Sequence, residues 1–132
     1  MVNGTPDVVD LAGFEAKLET CSEPLRGLVS YLRTSAENAG VGVTDRPFRH
    51  SAPNSGWGIT YYTSAAPFFE IHPKGQKGHA WVRLPGVDAN VMRAAGFAAS
   101  KQKGWFRIRG LEDGVRLVPW ILRSHDAMAT AV

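Results

Sequence analysis

Residues 68–84 read FFEIHPKGQKGHAWVRL, two runs of alternating character on either side of a segment rich in Pro, Gly and Lys. Alternation sends successive side chains to opposite faces of a strand, and Pro and Gly interrupt it, so the stretch is expected to form a β-hairpin. With the loop at 73–78, His72 faces His79, Glu70 faces Trp81 and Phe68 faces Arg83, while Phe69, Ile71, Ala80, Val82 and Leu84 share the other side. One face is then core. The other mixes aromatic and charged side chains, and a binding surface is to be sought there.

Working towards the N-terminus, the segment 41–62, VGVTDRPFRHSAPNSGWGITYY, predicts a short strand, a loop and a second strand over 58–63. Of Tyr61 and Tyr62, one is expected to point inward and the other to join the open face. The short link Ala65, Ala66, Pro67 suits an antiparallel return into the hairpin. Upstream, two amphipathic helices are expected. The first starts after Asp7 or Asp10 and carries Val9, Leu11, Phe14 and Leu18. The second has Ser22 as N-cap, Glu23 and Pro24 in its first turn, Leu25, Leu28, Val29 and Leu32 as its apolar stripe, and Gly40 as its stop.

Towards the C-terminus, Asp88 is positioned to cap a short helix bearing Val91, Met92 and Ala95 and ended by Gly96. The basic turn SKQKG then leads into WFRIRG, a half-buried strand in which Phe106 and Ile108 alternate with Trp105, Arg107 and Arg109. Glu112, Asp113 and Gly114 read as a turn before a last helix that starts near Pro119 and buries Val118, Ile121, Leu122 and His125. The expected fold is α+β: one two-layer domain over 1–132, ordered over about 8–127, with an antiparallel sheet of four to five strands packed on a helix pair and a C-terminal helix.

The N-terminal helix pair, the PFFEIHP strand with its basic turn, the WVRLP strand and the GWFRIRGLEDG segment together resemble small bacterial α/β domains described as "predicted transport protein" or as domains of unknown function. The resemblance runs from about Ser22 to Asp126 on hydrophobic pattern. It implies a compact α/β sheet domain, sometimes found beside nuclease domains, and no catalytic residues.

The 132 residues, 44% of them hydrophobic, are enough to bury a core without disulfides, and the lone Cys21 excludes a disulfide framework or a Cys-rich zinc motif. No apolar run is long enough for a membrane span and the first residues lack a signal-peptide pattern, so the chain is expected to be cytoplasmic and free of the membrane. The net charge of +3 hides an asymmetry. Residues 1–45 hold three basic and seven acidic residues, net −4, and the remainder twelve basic and five acidic, net +7. Either the two blocks attract one another within the fold, or the basic block is offered to a polyanion.

The candidate binding residues are those of the open sheet face and its turns: His72, Lys74, Lys77, His79, Trp81, Arg83, Lys101, Lys103, Trp105, Arg107 and Arg109. Cations for phosphates beside flat rings for bases are what nucleic acid requires. A small ligand in a pocket between helices and sheet, lined by Tyr61 or Tyr62, is the alternative, followed by a protein-interaction or homodimer surface. His72 and His79 facing each other, with Glu70 or His50 nearby, fall short of a metal site, which needs three or four ligands, although imidazoles also serve as general acids or bases. No nucleophile elbow, phosphate-binding loop, dinucleotide fingerprint or H-E-x-x-H motif is present, so a non-enzymatic binding domain without cofactor is expected. Cys21 reads as a small residue packed at a helix entrance.

Overall fold

The computed structural model describes residues 8–9, 11–49, 57–74, 78–100 and 104–130. In chain order they form β1 (Val8–Val9), α1 (Leu11–Glu19), α2 (Glu23–Glu37), β2 (Thr44–Arg49), β3 (Trp57–Tyr62), β4 (Pro67–Lys74), β5 (His79–Arg83), α3 (Ala89–Ala94), β6 (Ala98–Ala99), β7 (Trp105–Ile108) and α4 (Leu111–Ala129). The strands make one antiparallel sheet in the order β1-β2-β3-β4-β5-β7-β6. The α+β two-layer arrangement is therefore as expected. The sheet is larger than four to five strands because two-residue pieces, β1 and β6, extend its edges.

The hairpin forms from β4 and β5 with its faces as the alternation dictates from Phe69 onward, but Phe68, expected on the open face opposite Arg83, is in the core against His125, and the pairing is displaced by two residues. Glu70 lies opposite Arg83, His72 opposite Trp81 and Lys74 opposite His79. A two-residue shift preserves the faces while changing every cross-strand neighbour. The cause is that Pro73 stays in the strand, where the β3 ladder on its other edge has already stopped at Ile71. Gly78 then closes the turn, donating to the Lys74 carbonyl at 2.9 Å with φ of 70°, a conformation natural to glycine. A register shift between Tyr61 and Tyr62 leaves Phe68 as an extra residue in β4, so that Phe68 and Phe69 are both buried.

Ser22 caps α2 by accepting from the Leu25 amide, and Leu25, Leu28, Val29 and Leu32 are buried as the stripe requires. Asp88 caps α3 in the same way through Asn90, and Gly96, with φ of 97°, follows its end. Several helical expectations need correction. α2 ends at Glu37 with Asn38 as its C-cap, ahead of the expected stop at Gly40. Val9 belongs to β1 rather than α1, whose buried residue is Phe14. The last helix starts at Leu111, eight residues ahead of Pro119. Glu112 and Asp113 form its acidic first turn, where the helix dipole favours them, and Asp113 accepts from the Arg109 amide. Gly114 is helical because α4 crosses α2 there: an added Cβ would lie 2.7 Å from Leu28 Cδ1. Pro119 is tolerated inside α4 at an exposed position, and Leu122, expected in the core, is exposed.

All four helices lie on one side of the sheet. Phe14, Leu28, Leu32, Met92, Leu117 and Ile121 share one buried cluster with Ile59, Tyr61, Phe69, Ile71, Val82, Phe106 and Ile108 of the strands. Tyr61 is the inward tyrosine; its hydroxyl accepts from Arg33 Nε of α2 at 3.2 Å. Burial pushes the Tyr61 phenol well above its ordinary pKa, against the opposing pull of Arg33. Partial burial disfavours the Arg33 charge, but the bond to Tyr61 and the carboxylates of Glu37 and Asp45 outweigh it and raise the guanidinium pKa. Ser124 ties α4 to the sheet, donating to the Phe68 carbonyl at 2.7 Å and accepting from the Gly86 amide at 2.9 Å.

Candidate functional site

With the helices on one side, the opposite face of the sheet carries Arg46 and Phe48 of β2, Gly58 and Thr60 of β3, Glu70, His72 and Lys74 of β4, His79, Trp81 and Arg83 of β5, and Trp105 and Arg107 of β7. The register arranges them in rows. One runs Arg46, Thr60, Glu70, Arg83, Trp105 and the next runs His72, Trp81, Arg107. Where β5 meets β7 the rows make a checkerboard: Trp81 is opposite Arg107 and Arg83 is opposite Trp105. Each indole thus has an arginine across the ladder and another two residues along its own strand. Diagonal positions on adjacent strands are about 7–8 Å apart, within reach of long side chains, and the Arg83 guanidinium lies over the Trp105 ring at 5.9 Å.

His72 forms the floor of this surface rather than part of its contact layer. It is 4% exposed, with its ring edge-on to Phe48 at 5.6 Å and to Trp105 at 5.0 Å. Gly58 makes room beneath it, since a Cβ there would fall 2.6 Å from His72 Cε1. His72 Nε2 donates to Glu70 Oε2 at 2.5 Å. That bond draws the Glu70 carboxylate away from Arg83, its neighbour across the ladder, which has no carboxylate partner among the described residues. Arg107 Nε, shut off from water, likewise has no hydrogen-bond acceptor among them. Buried donors of this kind are satisfied by a partner in nearly all folded proteins, which makes Arg107 Nε an exception among the described residues.

The expected site residues therefore divide. Lys74, Trp81, Arg83, Trp105 and Arg107 come together on the open face. His79 joins them as a buried residue whose ring packs edge-on against Trp81 at 5.1 Å. His72 and His79 do not face each other as the expected pairing had it, and among the described residues no group of three or more His, Cys, Asp or Glu side chains could hold a metal. Arg109 leaves the face. The β7 ladder ends at Ile108 and Gly110 turns the chain into α4, so the Arg109 guanidinium pairs with Asp113 at 3.7 Å on the helix side. Lys77, Lys101 and Lys103 lie outside the described residues; the strand ends that flank them are at opposite ends of the sheet. Tyr61 is a core residue, fully buried, and is not among the residues of the cavity described below. Cys21 is buried, its thiol donating to the Lys17 carbonyl at 3.6 Å.

Sequence reasoning missed Phe48, Gly58 and Arg46. Gly58 carried a usable signal, because a glycine inside a β-branched and aromatic run marks a close approach of another group.

Among the described residues no ion pair joins the two charge blocks. The ion pairs between described residues are local, joining His72 with Glu70, Arg109 and Arg116 with Asp113, and His125 with Asp126. Glu15, Glu19, Glu23 and Glu37 sit on α1 and α2, in the layer behind the sheet.

Compared with protein-family models, with curated proteins and with solved structures, the chain matches none, so the resemblance drawn from its sequence stays one of hydrophobic pattern.

Proposed function

We propose that the chain is a nucleic-acid-binding domain whose open sheet face takes single strands. The observation that carries this reading is the checkerboard of Trp81, Arg107, Arg83 and Trp105 on a face that the described helices leave uncovered. The arginines supply charge for phosphates and the indoles flat surface for bases, each stacked base being worth about 1–3 kcal/mol. Single strands are favoured over duplex because paired bases are stacked on one another and cannot lie on an indole. Arg46 and Lys74 extend the positive surface along the sheet, and its acid, Glu70, is engaged by His72.

The test is a titration with short single-stranded and duplex oligonucleotides, following tryptophan fluorescence at two salt concentrations. Saturable quenching by single strands is expected, weakening with salt at a slope of about 0.7 per phosphate contacted. Trp105→Ala should cut the affinity roughly tenfold, the loss of one stacked base. Absence of quenching at low salt, or equal affinity in a folded Trp105→Ala variant, would reject the reading.

A further inference from the structure

A cavity of about 470 Å³ opens on the helix side of the molecule, between the first half of α2 and the start of α4. Pro24, Leu25, Leu28 and Tyr31 form one wall and Leu111 stands opposite. Tyr31 and Leu111 are among the exposed large apolar residues of the chain, so an apolar surface leads into the cavity from solvent. The size lies within the range of small-molecule sites.

Two features give the cavity more meaning than a gap between helices. The first is Gly27, which lines it from the interior of α2. A helix-interior glycine is less favourable than alanine, and packing does not require this one: a Cβ at Gly27 would have no atom within 4 Å. Gly114, the other glycine at this helix crossing, is hemmed in by Leu28. What Gly27 keeps open is cavity space. The second is Arg109, the charged residue among the described wall residues. Its side chain is 61% exposed and its Nε stands 3.7 Å from Asp113, beyond ordinary hydrogen-bond length, and among the described residues its terminal nitrogens have no hydrogen-bond acceptor.

We infer that this cavity binds a small amphiphile with an apolar body and a single carboxylate, the body against Leu25, Leu28 and Tyr31 over Gly27 and the carboxylate on Arg109. The site is on the opposite side of the sheet from Trp81 and Trp105 and stands without the nucleic-acid reading.

The probes are octanoate and 1-octanol, below the concentrations at which they aggregate, followed by calorimetry and by the amide signals of Gly27 and Gly78. Octanoate should bind saturably and about tenfold or more tighter than the alcohol, the difference being a charge-assisted hydrogen bond. Arg109→Gln should remove that difference and leave octanol binding unchanged. Gly27→Leu should fold with an undiminished melting temperature and lose both probes. Arg109→Gln alters an exposed side chain, so it remains decisive even if the leucine disturbs α2. No saturable octanoate binding, or undiminished binding in a folded Gly27→Leu protein, would overturn the site. Equal octanoate affinity in Arg109→Gln would overturn the assignment of its anionic head.

Discussion

At the scale of single residues, the buried pairs hold the sheet in the shape that presents its outer face. Gly58 lies under the His72 ring, and that ring packs edge-on against both Phe48 and Trp105. Gly58→Ala should therefore cost about 1–3 kcal/mol by overpacking, measurable in urea, although alanine elsewhere in a strand is the better residue. On the other side of the sheet, Tyr61→Phe removes the acceptor of Arg33 and should cost about 1 kcal/mol, at the low end because the guanidinium can reach water. The same tyrosine sets an alkaline limit. Its folded pKa is raised, so between the unfolded value of about 10 and the folded one the native state holds a proton that the unfolded chain has released. The contribution is complete below pH 10 and is lost as the pH rises above it. Melting temperatures from pH 9 to 11 should fall more steeply for the wild type than for Tyr61→Phe, and parallel slopes would contradict the assignment.

At the scale of elements, the helix pair offers a comparison in which one substitution type acts with opposite sign. Gly27→Ala in α2 meets nothing and should stabilise by about 0.5–1 kcal/mol, the difference in helix propensity. Gly114→Ala in α4 drives a methyl into Leu28 and should destabilise by about 1–3 kcal/mol. Denaturant midpoints of the two variants check both signs. The same helices show what could be read in advance. Ser22 and Asp88 are recognisable as caps because a cap involves neighbours within three residues, and the faces of β4 and β5 are recognisable because strand alternation is local. Glu112, Asp113 and Gly114 mislead because Gly in isolation signals a turn, whereas here it answers to Leu28, far away in sequence. Pro119 misleads because its preference for a helix start is overridden by an exposed position in a helix already anchored by Leu117 and Ile121. The register of the hairpin depends on how its turn closes. The checkerboard depends on β5 pairing with β7 across the inserted α3, which no local pattern states.

At the scale of the whole molecule, the chain is polarised. Glu15, Glu19, Glu23 and Glu37 of α1 and α2 occupy the helix layer together with Arg93, Arg116 and Arg123 of α3 and α4, Arg46, Arg83 and Arg107 stand on the outer face, and no ion pair between described residues joins that face to the helix layer. On the proposed reading, the positive field of the outer face is what draws a polyanion to it. Arg83→Gln, at an exposed position without a carboxylate partner among the described residues, should leave the melting temperature nearly unchanged. It should also lower the salt slope of single-strand binding by about 0.7, the share of one phosphate. The central claim, that the sheet face and not the helix layer meets nucleic acid, is tested most directly by the indole N–H signals of the four tryptophans during titration with a short single-stranded oligonucleotide. The signals of Trp81 and Trp105 should shift and saturate together, while those of Trp57 and Trp120, packed against the helix-side core, stay in place. Shifts confined to Trp120, or none at low salt, would contradict it.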